Sequence, residues 1–251
     1  MLPEKKYDND AFYAMKSWQQ RMQRKPSFTN KLSKRIQNRI NRWIPEKVHL
    51  FITGAIKEMT RAMITGAGLI TPSPLQNESL ENREKKVLER INFYRKTAAV
   101  EGAATGAGGI LWGLADFPLW LSIKMKMLLE IAALYGYDVK NSSERLYLLY
   151  IFQLSFSSQQ HRNDIYARLD AWDKTDGSIP PDLQELDWRK FQQEYRDYID
   201  LAKFFQLVPG IGAVVGAYVN HSLTEQLGET AMNAYRMRHF RSSQSPDTSR
   251  Q

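Results

Sequence analysis

The most informative stretch of the sequence is Glu101-Gly102-Ala103-Ala104-Thr105-Gly106-Ala107-Gly108-Gly109-Ile110-Leu111-Trp112-Gly113. Inside a helix, glycine costs roughly 1 kcal/mol relative to alanine, so a helical segment this rich in glycine needs a packing reason. Four of the glycines recur at helical spacing and share one narrow face, namely Gly102, Gly106, Gly109 and Gly113. Because a face without side chains lets another backbone approach closely, the stretch predicts a helix packed tightly against a second helix.

The natural partner is a second segment, Pro209-Gly210-Ile211-Gly212-Ala213-Val214-Val215-Gly216, in which Gly212 and Gly216 again share one helical face. A nucleotide-binding loop would need a preceding strand and a Lys-Ser or Lys-Thr pair, and neither segment has them. Insertion into a membrane is a more serious alternative, because 102–123 is a run of 22 residues with one charge, Asp116. That charge and the following Pro118 favour a buried pair of helices over a membrane span.

Helical periodicity extends over the rest of the chain, which shows no Asn-Gly hairpin and no sustained two-residue alternation. Prolines, glycines and serines divide this pattern into separate segments. Helices are expected over 11–24, 28–44, 45–63, 80–113, 118–135, 142–157, 161–174, 188–207 and 211–240. The sequence therefore predicts a single all-α domain of roughly eight or nine helices, with two glycine-lined helices in its core.

Positive charge is concentrated near the N-terminus, where residues 16–47 contain ten Lys/Arg and a single acid, Glu46. The predicted helix 28–44 has one apolar face and an opposite face of basic residues, a pattern typical of a helix lying in a membrane interface. A surface helix that covers the core is the alternative, and the absence of a helix-turn-helix or zinc module argues against nucleic acid. The membrane-binding candidates are Lys31, Lys34, Arg35, Arg39, Arg42 and Trp43.

The charge pattern and the helical pattern together suggest three parts. Residues 1–45 are expected to form a basic amphipathic N-terminal arm, and residues 46–240 the helical domain. Residues 241–251 are rich in serine and are expected to be a disordered tail.

Few residues are candidates for catalysis. The chain has no cysteine and four histidines, and it lacks both a His-Glu-x-x-His motif and a glycine-flanked serine. Glu101 and Asp116 are the candidate acids if the protein is an enzyme, although a helix cap is the simpler role for Asp116. His221 and Glu225 stand one helical turn apart, a spacing that is more often a surface pair than a metal site. We expect no metal and no cofactor.

The sequence suggests one helix cap and leaves the partners of two acids open. Asn141 and Glu144 have the spacing of a capping box, in which the glutamate reaches back to the first residue of the motif. Glu101 and Glu130 are acids in apolar surroundings, and Lys124 and Lys126 are their candidate partners.

Several runs resemble the EcsC family. They are Asn92-Phe93-Tyr94-Arg95-Lys96-Thr97-Ala98-Ala99-Val100 with the glycine stretch that follows, Ala115-Asp116-Phe117-Pro118, Ile123-Lys124-Met125-Lys126, Tyr135-Gly136-Tyr137-Asp138 and Leu207-Val208-Pro209-Gly210-Ile211-Gly212-Ala213. The resemblance covers nearly the whole chain, from the basic segment to Phe240. It brings no assigned activity, so no catalytic residue follows from it.

The resemblance implies a bacterial cytoplasmic protein with a membrane neighbour, because members are encoded beside the ATPase and membrane subunit of an ABC transporter. That transporter system is linked to protein secretion and competence. We therefore expect a non-enzymatic accessory protein, cytoplasmic and peripheral on the inner face of the cell membrane. The expected partners are an anionic membrane surface and the transporter subunits, with no nucleic acid. The alternatives are a hydrolase that acts on lipid or peptide through carboxylates, and a lipid-binding module.

Overall fold

The structure is a computed structural model, which describes residues 3–24, 46–115, 117–157, 159–174 and 212–242. Within these ranges, the side chains of 3–4, 46–49, 52, 101–115, 159–161, 174, 212–216 and 219 lie outside this description. The described residues contain seven α-helices and no strand. The all-α prediction is therefore confirmed over these residues.

The helices are α1 Pro3–Met22, α2 Glu46–Thr65, α3 Leu80–Ala115, α4 Phe117–Leu134, α5 Ser142–Phe156, α6 Gln159–Ala171 and α7 Gly212–Ser242. A single 3₁₀ turn, Trp172–Lys174, follows α6. Each of the seven corresponds to a segment expected from the sequence. The count differs from the predicted eight or nine, and the two remaining segments, 28–44 and 188–207, lie outside the described residues.

The long helices α3 and α7 pack antiparallel and form the axis of the molecule. Glu84 near the start of α3 contacts Arg236 near the end of α7, and Arg95 further along α3 contacts His221. Between these points, Gly228 faces Ile91, where an added Cβ would lie 2.7 Å from the isoleucine Cδ1. The two helices therefore approach each other closely at Gly228, a glycine that the sequence analysis did not single out.

The predicted glycine-lined faces lie beyond this point. Gly102, Gly106, Gly109 and Gly113 belong to the last turns of α3, and Gly212 and Gly216 belong to the first turns of α7. Their helical backbone agrees with the prediction. What packs against them lies outside the described residues, so a glycine-lined core remains a prediction.

The apolar core is completed by α4 and α5, whose side chains are buried around most of each helix. Burying an apolar side chain of this size contributes about 1.5–3 kcal/mol, which explains why two helices with little amphipathic character occupy the centre. Over the described residues, no helix combines the length and the hydropathy that crossing a membrane requires.

The first helix packs onto this core. Ala11, Met15 and Trp18 recur at helical spacing and are all buried, and the Trp18 ring lies 5.9 Å from that of Tyr166 in α6. The N-terminal half of the predicted arm is thus part of the bundle, because its apolar side chains pack against the helical core. The rest of the arm, 25–45, lies outside the described residues, as do residues 243–251 of the predicted tail.

Two polar residues near the start of α5 stabilise helix ends. Asn141 caps α5 by accepting a hydrogen bond from the Ser143 backbone N–H, as the capping-box spacing predicts. The guanidinium of Arg145 donates to the carbonyl oxygens of Met63 and Ile64 at the end of α2. These bonds satisfy carbonyls that the helix end leaves without an intrahelical donor.

Candidate functional site

The antiparallel packing of α3 and α7 gives the bundle two different ends. The end that contains the start of α3 and the finish of α7 is called here the polar end, because ion pairs fill it. The opposite end contains 100–115 of α3 and 212–218 of α7, and it is called the glycine-rich end. Helix α4 begins at this glycine-rich end, since only residue 116 separates it from α3.

Helix α2 also begins at the glycine-rich end. Its last turn is held by Arg145 beside the start of α5, at the other end of the bundle. Its first turns lie against the first turns of α4, where Leu50 and Phe51 line one groove together with Pro118 and Leu121. Four helix termini therefore meet at the glycine-rich end.

Large apolar side chains are exposed at this glycine-rich end. Tyr218 is 73% exposed and Val100 is 72% exposed, although both lie on the helices that form the axis of the core. Among the side chains that the structure describes at this end, the exposed large apolar ones are Leu50, Phe51, Val100, Leu119 and Tyr218. Single exposed apolar residues are normal, but a group of them at one end of a bundle is typical of an interaction surface.

An open groove between α2 and α4 adds to the same surface. Its volume is about 530 Å³, and its lining is mainly apolar, including Phe51, Met59 and Leu121. Gly54 lies in the groove with open space above it, because a Cβ added there would meet nothing within 4 Å. Together, the groove and the exposed side chains form an uncovered apolar surface in the described part of the chain.

The predicted site residues relate to this end through chain connectivity. Glu101 belongs to α3 at the glycine-rich end, and Asp116 stands between α3 and α4, but the side chain of Glu101 and all of Asp116 lie outside the described residues. The basic candidates lie outside them as well: Lys31, Lys34, Arg35, Arg39, Arg42 and Trp43. Their segment ends next to Glu46, the first residue of α2, and so joins the bundle at the glycine-rich end.

The polar end is held by a carboxylate that the sequence analysis missed. Glu84 is wholly buried and accepts four hydrogen bonds. Two come from Arg236, whose Nε and Nη2 lie 2.7 and 2.6 Å from the two carboxylate oxygens. The other two come from the hydroxyls of Tyr7 and Tyr135, at 2.6 and 2.8 Å. Because all its acceptor positions are occupied by the protein, this carboxylate is a structural element with no group left to offer a ligand.

A second buried ion pair lies beside the first. Glu144 accepts from the hydroxyl of Tyr235 at 2.6 Å and from Arg238 at 2.7 Å. The guanidinium carbon of Arg238 lies 3.9 Å from the ring centroid of Tyr137 and 4.7 Å from that of Tyr147. The second half of the predicted capping box was therefore wrong, because the Glu144 carboxylate is committed to α7 rather than to the backbone of Asn141.

The tyrosines of the polar end have strongly shifted acidities. The rings of Tyr135 and Tyr235 stack at 5.1 Å and link the two ion pairs. Burial, together with the charge of Glu84, raises the pKa of Tyr135 well above its usual value. Burial, together with Glu144, does the same to the pKa of Tyr235. Both phenols therefore stay protonated near neutral pH and donate hydrogen bonds to the two buried carboxylates.

The partner of Glu130 is neither of the two lysines named as candidates from the sequence. Glu130 pairs with Arg90 at 2.6 Å and accepts from the Tyr94 hydroxyl at 2.9 Å, so its predicted pairing with Lys124 or Lys126 was wrong. The antiparallel packing of α3 on α4 brings Arg90 and Tyr94 to it. Lys124 is instead fully buried, with its ammonium nitrogen 4.9 Å from the ring centroid of Trp120.

His221 and Glu225, the pair one helical turn apart on α7, both contact one arginine of α3. Arg95 donates to Nε2 of His221 at 3.1 Å and lies 3.0 Å from the carboxylate of Glu225. A cation at that position would meet the positive charge of Arg95. Among the described residues, no group of three His, Cys, Asp or Glu side chains could hold a metal ion.

These features define an all-α bundle with an ion-paired polar end and an apolar glycine-rich end. A model of the EcsC protein family matches residues 9–240, from α1 to the last turns of α7, and the chain belongs to this family.

The chain is 45% identical over 222 residues to "Protein EcsC" of Bacillus subtilis (strain 168), a match that covers 88% of this chain and 91% of that protein. It is also 34% identical over 169 residues to "Uncharacterized protein YdbA" of the same organism, which covers 66% of this chain and 59% of that protein. No solved structure matches the chain.

Proposed function

We propose that the protein is a non-enzymatic accessory protein that docks on the cytoplasmic face of the membrane through its glycine-rich end. The observation that carries this proposal is the group of exposed apolar side chains at that end, including Leu119 and Tyr218. The basic segment 28–44 joins the bundle at the same end, so apolar and basic groups would reach a membrane together.

The expected strength of docking follows from the charges. Each Lys or Arg near an anionic bilayer contributes about 1 kcal/mol. If about five of the basic residues in the segment reach the surface, the total is roughly 5 kcal/mol, or a few thousand-fold in partitioning. Because exposed charges are screened beyond about 8–10 Å at physiological salt, binding should weaken as salt rises. Insertion of the apolar side chains adds a contribution that salt does not remove.

Membership of the EcsC family supports the second part of the proposal, an association with an ABC transporter system linked to secretion and competence. The transporter subunits would supply the specific partner, and the bilayer the general affinity. Two weak attachments of this kind reinforce one another when both can be made at once.

Co-sedimentation with vesicles tests the membrane proposal. We expect the full chain to bind anionic vesicles and not neutral ones, and the variant Lys34→Glu/Arg35→Glu/Arg42→Glu to lose most of this binding. Leu119→Ser/Tyr218→Ser should also weaken binding, whereas Ile70→Ser should not. Ile70 is the matched control, because it is 80% exposed but follows α2 at the other end of the bundle. Equal sedimentation of the wild type and both multiple variants would overturn the proposal.

A further inference from the structure

A polar pocket opens on the side of the bundle, between α1 and the helices α5, α6 and α7. Its volume is about 420 Å³, within the range of roughly 300–1,000 Å³ that small-molecule sites occupy. The floor is apolar and includes Trp18 and Leu154. The polar groups of its lining come from all four helices and include Arg21, Ser155, Arg162, Glu225, Gln226 and Glu229.

The hydroxyl of Ser155 is the feature that points to a ligand. The residue is 3% exposed, and its Oγ has no hydrogen-bond partner in the structure as described. Its backbone carbonyl, by contrast, accepts from the side chain of Gln226. Nearby Ser157 is equally buried, yet its hydroxyl donates to the carbonyl of Gln153 at 2.6 Å. Since a buried hydroxyl without a partner is unfavourable, Ser155 is suited to a group that enters the pocket.

The pocket presents charges of both signs. Arg162 on α6 lines it and donates to the carbonyl of Ser157 at 3.3 Å. Glu225 on α7 pairs with Arg95 at 3.0 Å, and Glu229, one turn further along the helix, pairs with Arg21 at 2.6 Å. Both partners of that pair are about half exposed, at 46% and 55%, and ion pairs of this kind are weak enough to exchange with a ligand.

We propose that this pocket binds a small zwitterion. The anionic group would lie at the Arg162 guanidinium and the Ser155 hydroxyl, and the ammonium group at the carboxylate of Glu229. A purely anionic ligand would meet the two carboxylates, and a purely cationic ligand would meet the two arginines. Phosphoethanolamine has this chemistry, either as a free molecule or as the headgroup of a membrane lipid.

Calorimetric titration of the full chain with phosphoethanolamine tests the proposal, with ethanolamine and inorganic phosphate as the two half-molecules. We expect each half to bind about tenfold more weakly or worse, because each lacks one set of charge-assisted hydrogen bonds. Phosphate that binds as tightly as phosphoethanolamine would show a plain anion site and overturn the proposal. Absence of heat from phosphoethanolamine at millimolar concentration would overturn it as well.

Two serine variants separate a ligand role from a structural one. Ser155→Ala should leave the thermal midpoint of the free protein unchanged and weaken phosphoethanolamine by about five- to tenfold, the effect of one lost hydrogen bond. Ser157→Ala should do the reverse, lowering the midpoint and leaving the affinity unchanged, because its hydroxyl is bonded within the protein. Unchanged affinity in Ser155→Ala would refute the assignment.

Vesicles that contain phosphatidylethanolamine identify the source of the zwitterion. If the vesicles compete with free phosphoethanolamine and Ser155→Ala weakens vesicle binding by a similar factor, the pocket takes a lipid headgroup. If the free molecule binds and the vesicles do not compete, the ligand is a soluble zwitterion. Both outcomes support the pocket, and neither depends on the basic segment or on the glycine-rich end.

Discussion

Glu84 and Arg236 form a two-pronged ion pair in the core, with N–O distances of 2.7 and 2.6 Å between residues 152 positions apart in the chain. This contact joins the beginning of α3 to the end of α7. Because the two helices are antiparallel, it also sets the register with which they pack. The polar end therefore determines how the opposite, apolar end is presented.

We predict that Glu84→Gln lowers the free energy of unfolding by about 3 kcal/mol. Removing one charge of a buried pair leaves the other uncompensated, at a cost of about 3–5 kcal/mol, and glutamine retains part of the hydrogen bonding. Urea unfolding followed by far-ultraviolet circular dichroism measures the change. Glu81→Gln is the control, since Glu81 is exposed on the same helix and its loss should change the value by less than about 0.5 kcal/mol. Equal effects of the two substitutions would contradict a stabilising buried ion pair at Glu84.

We predict opposite effects for alanine at two helical glycines. Gly228→Ala should destabilise the protein by about 1–2 kcal/mol, because the new Cβ would lie within 2.7–3.0 Å of three Ile91 carbon atoms. Gly54→Ala should stabilise it by up to about 1 kcal/mol, since open space surrounds that position and alanine favours the helix. Thermal unfolding measures both, and a gain of stability in Gly228→Ala would show that α3 and α7 are further apart.

We predict that Gly106→Leu and Gly212→Leu each disrupt folding. The single-face spacing of the glycines leaves no room for a large side chain where two helices cross closely. Thermal unfolding checks this, and an unchanged midpoint in both variants would mean that these glycines line a pocket or a bend.

We predict a loss of stability at alkaline pH, as the buried tyrosines ionise. Burial raises the pKa of Tyr135, Tyr147 and Tyr235 well above the usual value near 10. A raised pKa in the folded state means that the stabilisation is complete below about pH 10 and is lost as the pH rises above that value. Tyrosinate absorbance and circular dichroism, recorded together, should change in one cooperative step. If these phenols ionise while the helices remain intact, they are not buried as the structure indicates.

The sequence was sufficient for features that depend on neighbours in the chain. Helical periodicity indicated all seven described helices, although α1 begins at Pro3 and not at the predicted residue 11, and the spacing around Asn141 identified a true cap. Contacts between residues far apart in the chain could not be predicted from the sequence in this way. Glu144 fits a local capping pattern, yet its carboxylate bonds to Tyr235 and Arg238, which lie about 90 residues away. A local motif cannot show which partner a long side chain will choose once another helix packs beside it.

The same reason explains what was missed at the site. The exposed apolar group combines Leu50, Val100, Leu119 and Tyr218 from four helices, and any two of the four are at least 19 positions apart in the sequence. Only the packing of the helices shows that these positions share one end. The pocket at Ser155 was missed likewise, because a serine within an apolar helix carries no signal in the sequence.

The central claim is that the glycine-rich end faces the membrane, and fluorophore labelling tests it most directly. The chain contains no cysteine, so single-cysteine variants can be labelled at one position without background. An environment-sensitive fluorophore at Leu119→Cys or Tyr218→Cys should shift to the blue and brighten when anionic vesicles are added. The same fluorophore at Ile70→Cys should not respond, because that residue follows α2 at the opposite end of the bundle. No response at Leu119 and Tyr218, or an equal response at Ile70, would contradict end-on docking.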